Sequence, residues 1–363
     1  MTGICPASSA RHIDIRSRPR VACRSKGSIA IAGSMPREQT AQVSRPPPVM
    51  GQIVGLANKI IRLARHPVLL ARHPIITTRL LNAIHRAGII SRETALTCCS
   101  KTDGGGAQIH AMMSVIAFCK VMGLRYVHTP IQSIEHAASK GVAARWEALF
   151  RLGMGEMSLD DISNPILTLH TFLAAPQRWQ QPVVIQTPHL HPFTDAHPDI
   201  YAKITDELRQ KYAGRPPVRT PSDLSIAVHI RRGDVTLETH PLRYTSNSKI
   251  RTAVAGVIRT IKRTGKACQL SIYSEGVEQD FCGILDCPFK LHLNGDPLDA
   301  LQNMISSDVL VMSKSSFSYV AAILHQGSVI YEPFWHRPMG HWHTIERQGQ
   351  IDEERLLADI RVR

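Results

Sequence analysis

His229-Ile230-Arg231-Arg232-Gly233-Asp234 packs two arginines, a histidine and an aspartate into six residues. The apolar, β-branched run before it reads as a buried strand over 224–230, so the charged residues fall where the strand runs out. A guanidinium fork pairs two phosphate oxygens at once, and two arginines can neutralise a pyrophosphate without a metal. Successive side chains diverge, so one arginine reaches a ligand while the other pairs with Asp234 and stays oriented. The same residues also suit a solvated ion-pair loop. Farther along, Ser315 and Ser316 stand between a strand at 308–312 and a helix at 316–325. Hydroxyls and free N–H groups at a helix start favour phosphate, and serine there is equally an ordinary N-cap.

The elements that must position these groups follow an α/β order. A strand at 94–100, a glycine-rich turn at 101–106, a helix at 107–123 and a strand at 124–129 form the start of a doubly wound unit. A helix over 133–152 and a strand over 182–188 continue it. A second unit opens with a helix at 199–213 and the strand at 224–230. It continues with a helix at 248–264 and strands at 270–274 and 289–293, then the strand and helix at 308–325, and closes with a strand at 328–332. The expected fold is α/β and GT-B-like, two Rossmann-like domains facing a cleft, with ligands at the carboxyl ends of the strands. The expected domains are 93–198, on the acceptor side, and 199–363, binding the nucleotide.

Three stretches in this order resemble the fucosyltransferase superfamily, which includes the α1,2- and α1,6-fucosyltransferases and the protein O-fucosyltransferases. Residues 229–234 fit the superfamily's His-x-Arg-Arg-x-Asp donor motif at every fixed position and look closest to the α1,2 type. Residues 103–108, Asp-Gly-Gly-Gly-Ala-Gln, resemble its glycine-rich loop, and residues 308–318 resemble its C-terminal strand-to-helix motif. The resemblance spans roughly 94–335. It implies a GT-B fold, GDP-fucose as donor substrate with no further cofactor, inversion at the anomeric carbon and no catalytic metal. It implies that Arg232, or else Arg231, stabilises charge on the departing GDP. His229 would hold the diphosphate or shape the loop, and Asp234 would orient the arginines. Ser315 or Ser316 would contact phosphate, and Gly105 and Gln108 would belong to the donor-side loop. Asp299 stands near an acid that pairs with guanine in some relatives, offset by one residue, and is equally a helix N-cap. Glu238 stands near a proposed base, also one residue out of register, and Asp103 and His110 are the other candidates for that role. Ala107 replaces the amide residue that usually precedes Gln108.

The chain has 363 residues, 43% hydrophobic and 20% charged, enough to bury a core. Its net charge of +14 is uneven: residues 1–92 hold 15 Lys and Arg against 2 Asp and Glu, and the rest hold 28 against 27. The near-neutral remainder argues against a nucleic-acid-binding core. Residues 1–50 read as disordered. Residues 51–92 are basic and amphipathic, interrupted by two Ala-Arg-His-Pro repeats; they suit either the surface of an anionic membrane or a helical appendage packed on the core. The eight cysteines show no CxxC pair or zinc spacing, and several lie in apolar runs. Together with the lack of an 18-residue apolar stretch, this leads to the expectation of a cytoplasmic protein, free or peripheral at the inner membrane surface, without a transmembrane helix. His189 and His191 read as loop packing near the domain junction, with metal binding the minor reading. The stretch 335–343, with Trp335, His336, Trp342 and His343, reads as an aromatic acceptor surface or a crossover packing back on the first domain.

The expected function is transfer of L-fucose from GDP-fucose to a glycan hydroxyl in polysaccharide biosynthesis. The alternatives are transfer of another GDP-sugar and a catalytically silent nucleotide-sugar- or glycan-binding protein of the same fold.

Overall fold

Two all-parallel sheets carry the structure, a computed structural model that describes residues 74–86, 88–135, 141–215 and 223–362. The expected disordered segment 1–50 and residues 51–73 of the basic segment lie outside the described residues. The described part of the basic segment is helix α1 (Pro74–Arg86) and residues 88–92. Proline suits a first helical position, where its missing N–H would have no partner. Leu80, Leu81 and Ile84 of α1 are buried in the main core. This part of the apolar side therefore faces protein.

The first sheet is built from β1 (Ala95–Cys98), β2 (Arg125–His128), β3 (Met157–Ser158), β4 (Ile166–Thr168) and β5 (Val184–Thr187). Its spatial order is β3-β2-β1-β5-β4. Parallel neighbours need a long crossover, and α2 (Gly105–Met122) supplies it between β1 and β2. All four residues of β1 are buried, as expected of a parallel strand covered on both faces. By length and composition α2 could cross a membrane, contrary to the expectation of no such segment, but 83% of it is buried inside the protein. It is the central core helix.

The second sheet comprises β6 (Asp223–His229), β7 (Ala267–Ser274), β8 (Lys290–Leu293), β9 (Val309–Val311), β10 (Ser328–Tyr331) and β11 (His343–Thr344). Its order is β11-β10-β9-β6-β7-β8. The order reverses between β6 and β9, where a doubly wound sheet opens a crevice at its carboxyl edge. Around it lie α7 (Asn247–Lys262), α8 (Pro297–Ser306), α9 (Ser316–Leu324) and the terminal α10 (Glu353–Val362).

Several elements depart from the expected pattern. The helix expected at 133–152 is only α3 (Val142–Phe150), because Gly141 stands at its start in the left-handed region and residues 129–134 form no regular element. Two short helices follow β4 and β5, namely α4 (Leu169–Ala174) and α5 (His191–Ala196). The helix expected at 199–213 is a 3-10 turn, Pro198–Lys203, followed by α6 (Thr205–Lys211). Ile204 between them leaves helical geometry at φ −122°. Both pieces still point Ile200, Tyr201, Ile204 and Leu208 into the core. The expected α2 starts two residues early, so Gly105 and Gly106 form its first turn.

That first turn joins the halves. A Cβ on Gly106 would lie 2.6 Å from the Phe317 Cα, and one on Gly105 would lie 2.4 Å from the Trp146 ring. The N-terminal turns of α2 and α9 thus meet with no room for a side chain, and the main core runs continuously from one half to the other behind the cleft. Because Phe317 offers backbone rather than a flexible tip, Gly106→Ala is expected to lower stability by about 1–3 kcal/mol, measured by urea denaturation. A loss below about 0.5 kcal/mol would mean that the two turns do not press together.

Candidate active site

The carboxyl edges of both sheets open on one cleft of about 2040 Å³. This exceeds the roughly 300–1,000 Å³ of a typical small-molecule site and leaves room for two substrates. One wall carries the glycine turn before α2 and the β5–α5 loop. The other carries the loop after β6, the start of α8 and the start of α9.

The loop after β6 is held at the switch point. His229 at the end of β6 bonds through Nδ1 to the Ser313 hydroxyl at 2.8 Å, just past β9. Its ring also packs on Phe317. Burial, reinforced by the charge of Arg231, pushes the imidazole down to about 3. His229 is therefore neutral, and it shapes the loop without adding charge to it.

The two arginines do different things. Arg231 is partly exposed and pairs with Asp234 at 2.8 Å. Arg232 is 6% exposed. Its guanidinium donates to the Arg231 carbonyl at 2.9 Å, the Thr245 carbonyl at 2.9 Å and Asn247 Oδ1 at 2.6 Å. It also lies 4.3 Å over the Tyr244 ring. Burial lowers the Arg232 pKa from its usual value. Both residues line the cleft. Lys314 reinforces the same loop by donating to the Tyr244 carbonyl at 3.2 Å. Behind it Glu332, 1% exposed, accepts from Lys249 at 2.9 Å.

Ser315 is the N-cap of α9, its hydroxyl accepting from the Phe317 N–H at 3.2 Å. Ser316 is the first helical residue, and both line the cleft. At α8 the N-cap is Asp296, which accepts from the Leu298 and Asp299 N–H groups. Asp299 is therefore not the cap; it lies in the first turn, on the cleft wall. Asp296 also pairs across the cleft with Arg145 of α3 at 2.8 Å, and this bond holds its carboxyl below the usual range.

Gly105 lies on the cleft wall, but Gln108 does not. Gln108 is buried and its amide donates to the carbonyls of Asp103 at 2.7 Å and Ser133 at 2.8 Å. It staples the glycine turn from behind, so the expected donor contact is replaced by a structural one. Glu238 is exposed and is not among the cleft-lining residues. The Thr236 hydroxyl and a backbone N–H hold its carboxyl below the usual range, which makes it a weak base. His110 is fully buried and also off the cleft wall. Of the three candidate bases only Asp103, paired with Lys101 at 3.0 Å, faces the cleft.

The segment after β10 divides. Trp335 is 48% exposed on the cleft, under the Arg243 guanidinium at 5.4 Å. His336, Trp342 and His343 are buried. The segment packs back on the first half: His336 Nδ1 meets Asp195 at 3.2 Å, and the Gly340 N–H donates to Asp199 at 2.8 Å. The sequence did not mark Asp195 as part of the site; its only signal was a position four residues after His191.

No family model matches this chain, and no curated protein does. Among solved structures, POFUT1 in complex with GDP-fucose is similar at 11% identity, covering 66% of this chain and 97% of that one, with a TM-score of 0.36. Fucosyltransferase NodZ from Bradyrhizobium is similar at 11% identity over 71% and 98%, with a TM-score of 0.35. At that identity the site of this chain is defined by its own geometry.

The loop geometry separates the arginines by stability. Arg232→Ala leaves two carbonyls and an amide oxygen without their donor and is expected to lower stability by roughly 1–3 kcal/mol. Arg231→Ala removes one half-exposed ion pair, worth about 0.2–1 kcal/mol. Equal losses in urea denaturation would contradict this division.

Proposed function

We propose that the protein is an inverting glycosyltransferase that moves L-fucose from GDP-fucose to a glycan hydroxyl. One observation carries the reading. The two arginines and the open N-terminus of α9 converge on the switch point of the second sheet, facing a cleft large enough for donor and acceptor. Resemblance of residues 229–234 and 308–318 to the fucosyltransferase donor motifs supplies the choice of donor.

In this reading the diphosphate lies between the β6 loop and the start of α9. Backbone N–H groups and the Ser315 and Ser316 hydroxyls meet it from one side. Arg231 and Arg232 meet it from the other. As the sugar–phosphate bond breaks, charge grows on the β-phosphate. Fixed guanidinium groups stabilise that charge without reorganising, which lowers the barrier. Arg232 is the more rigidly held; Arg231 is free to exchange Asp234 for phosphate. Asp299, on the wall beyond, would pair with the guanine edge of the donor. The donor chemistry here requires no further cofactor. Asp103, opposite on the first half, is assigned as the base that takes the acceptor proton. Trp335 and Arg243 offer the sugar of an acceptor a flat, partly exposed surface. We place the protein in the cytoplasm, a reading supported by its six free cysteines among the described residues. Contact of residues 51–73 with an anionic membrane is part of the same proposal.

The test is thermal stabilisation by GDP-fucose, GDP-mannose, GDP, UDP-glucose and ATP. Stabilisation confined to GDP species, largest for GDP-fucose and reduced in Arg231→Ala, is expected. No response to any guanine nucleotide would overturn the reading. Equal responses to GDP-fucose and GDP-mannose would move the donor assignment to another GDP-sugar. Asp103→Asn is expected to reduce kcat by about 10²–10⁴-fold with donor stabilisation unchanged; unchanged turnover would remove Asp103 as the base.

A further inference from the structure

Four histidines gather where the two halves meet, apart from the arginine loop. His110 comes from α2, His189 and His191 from the β5–α5 loop and the start of α5, and His336 from the segment after β10. One ring nitrogen from each of His110, His191 and His336 lies within 4.8 Å of the others. The His110 and His191 rings stack at 4.2 Å, and His336 stands edge-on to both at 4.4 and 4.7 Å.

The outward nitrogens of two of these rings are already occupied. His110 Nε2 meets the Tyr201 hydroxyl at 3.0 Å, and His336 Nδ1 meets Asp195 at 3.2 Å. Metal-binding imidazoles have this pattern: a carboxylate or hydroxyl fixes the far nitrogen and turns the near one to the ion. On the inner side His110 Nδ1 and His191 Nε2 are buried with no partner in the protein, and His110 is wholly buried.

The geometry points to a binding site for one divalent transition-metal ion of the zinc class, held by His110, His191 and His336 and oriented by Tyr201 and Asp195. An all-imidazole set selects zinc, cobalt, nickel or copper over magnesium and calcium. Three nitrogens bound at 2.0–2.1 Å in tetrahedral geometry stand roughly 3.3 Å apart, so the rings close inward by rotation about their side-chain torsions. His191 and His336 reach the cleft wall, so the fourth position opens on the cleft, beside His189. The ion cross-links α2 and the β5–α5 segment of one half to the segment after β10 of the other. The site does not depend on the donor assignment.

The experiment is equilibrium dialysis of the full chain against zinc and cobalt in metal-free buffer, read by metal analysis and visible absorption. One zinc per chain is expected beyond that retained by the His191→Ala, His336→Ala double variant. Cobalt is expected to give the intense d–d bands of a tetrahedral nitrogen site without thiolate charge transfer. Asp195→Asn is expected to weaken zinc binding by about 10–100-fold, whereas His170→Ala, on α4 and away from the cluster, is expected to have no effect. Equal zinc content in wild type and double variant would overturn the proposal. If the double variant does not fold, the cobalt spectrum of the wild type decides: weak octahedral or thiolate bands overturn the site and tetrahedral imidazole bands support it.

Discussion

The structure turns on the contact between the first turns of α2 and α9, where Gly106 presses on the Phe317 backbone with no space for a Cβ. Each turn follows a strand at the switch point of its own sheet, so the contact brings the carboxyl edges of both sheets to the same cleft. It also aims two helix N-termini into that cleft. Each carries about half a positive charge from its aligned peptides. Two such ends packed together repel unless an anion or nearby electron density lies between them. The contact is therefore unfavourable electrostatically and is sustained by the apolar core behind it, where Ile109, Met112 and Met113 join Val320, Ala321 and Leu324 in one cluster.

The two cleft edges are fastened in different ways. On one side Arg145 of α3 and Asp296 of the α8 cap form an exposed ion pair, a bond that salt weakens. On the other side His336 reaches back to Asp195 through a partly buried contact, and the Gly340 N–H donates to Asp199 through an exposed one.

Much of this was legible in the sequence, for physical reasons. Strands such as β1 and β9 are short continuous apolar runs bounded by turn residues, which is what a parallel strand buried on both faces requires. The loop at 229–234 was legible because its charges break sharply from the apolar strand before it. What was not legible depends on long-range contacts. Gln108 looks like a ligand-facing amide until its two bonds to Asp103 and Ser133 are seen. The N-cap of α8 falls on Asp296 rather than Asp299 because Pro297 fits the first helical position, a local signal outweighed by the family pattern. The two- and three-residue strands β3, β4 and β11 are edge strands whose existence depends on a neighbour, so no periodicity announces them. Asp195 acquires its role only through His336, 141 residues away.

Burial decides how the β6 motif divides its work. His229 and Arg232 are both nearly enclosed, yet burial acts differently on them. Neutralising an imidazole requires little, so His229 loses its proton and becomes a neutral link between β6 and Ser313. A guanidinium keeps its charge under almost any burial, so Arg232 must be surrounded by acceptors, and Thr245, Asn247 and the Tyr244 face provide them. Those acceptors come from the loop leading into α7 and from the first residue of α7, so the charge that faces the cleft also ties the start of α7 to β6. Arg231, left at the surface with Asp234 as an exchangeable partner, is the part of the motif free to move. A rigid neutral anchor, a fixed charge and a mobile charge therefore follow from three neighbouring residues meeting three different depths of burial.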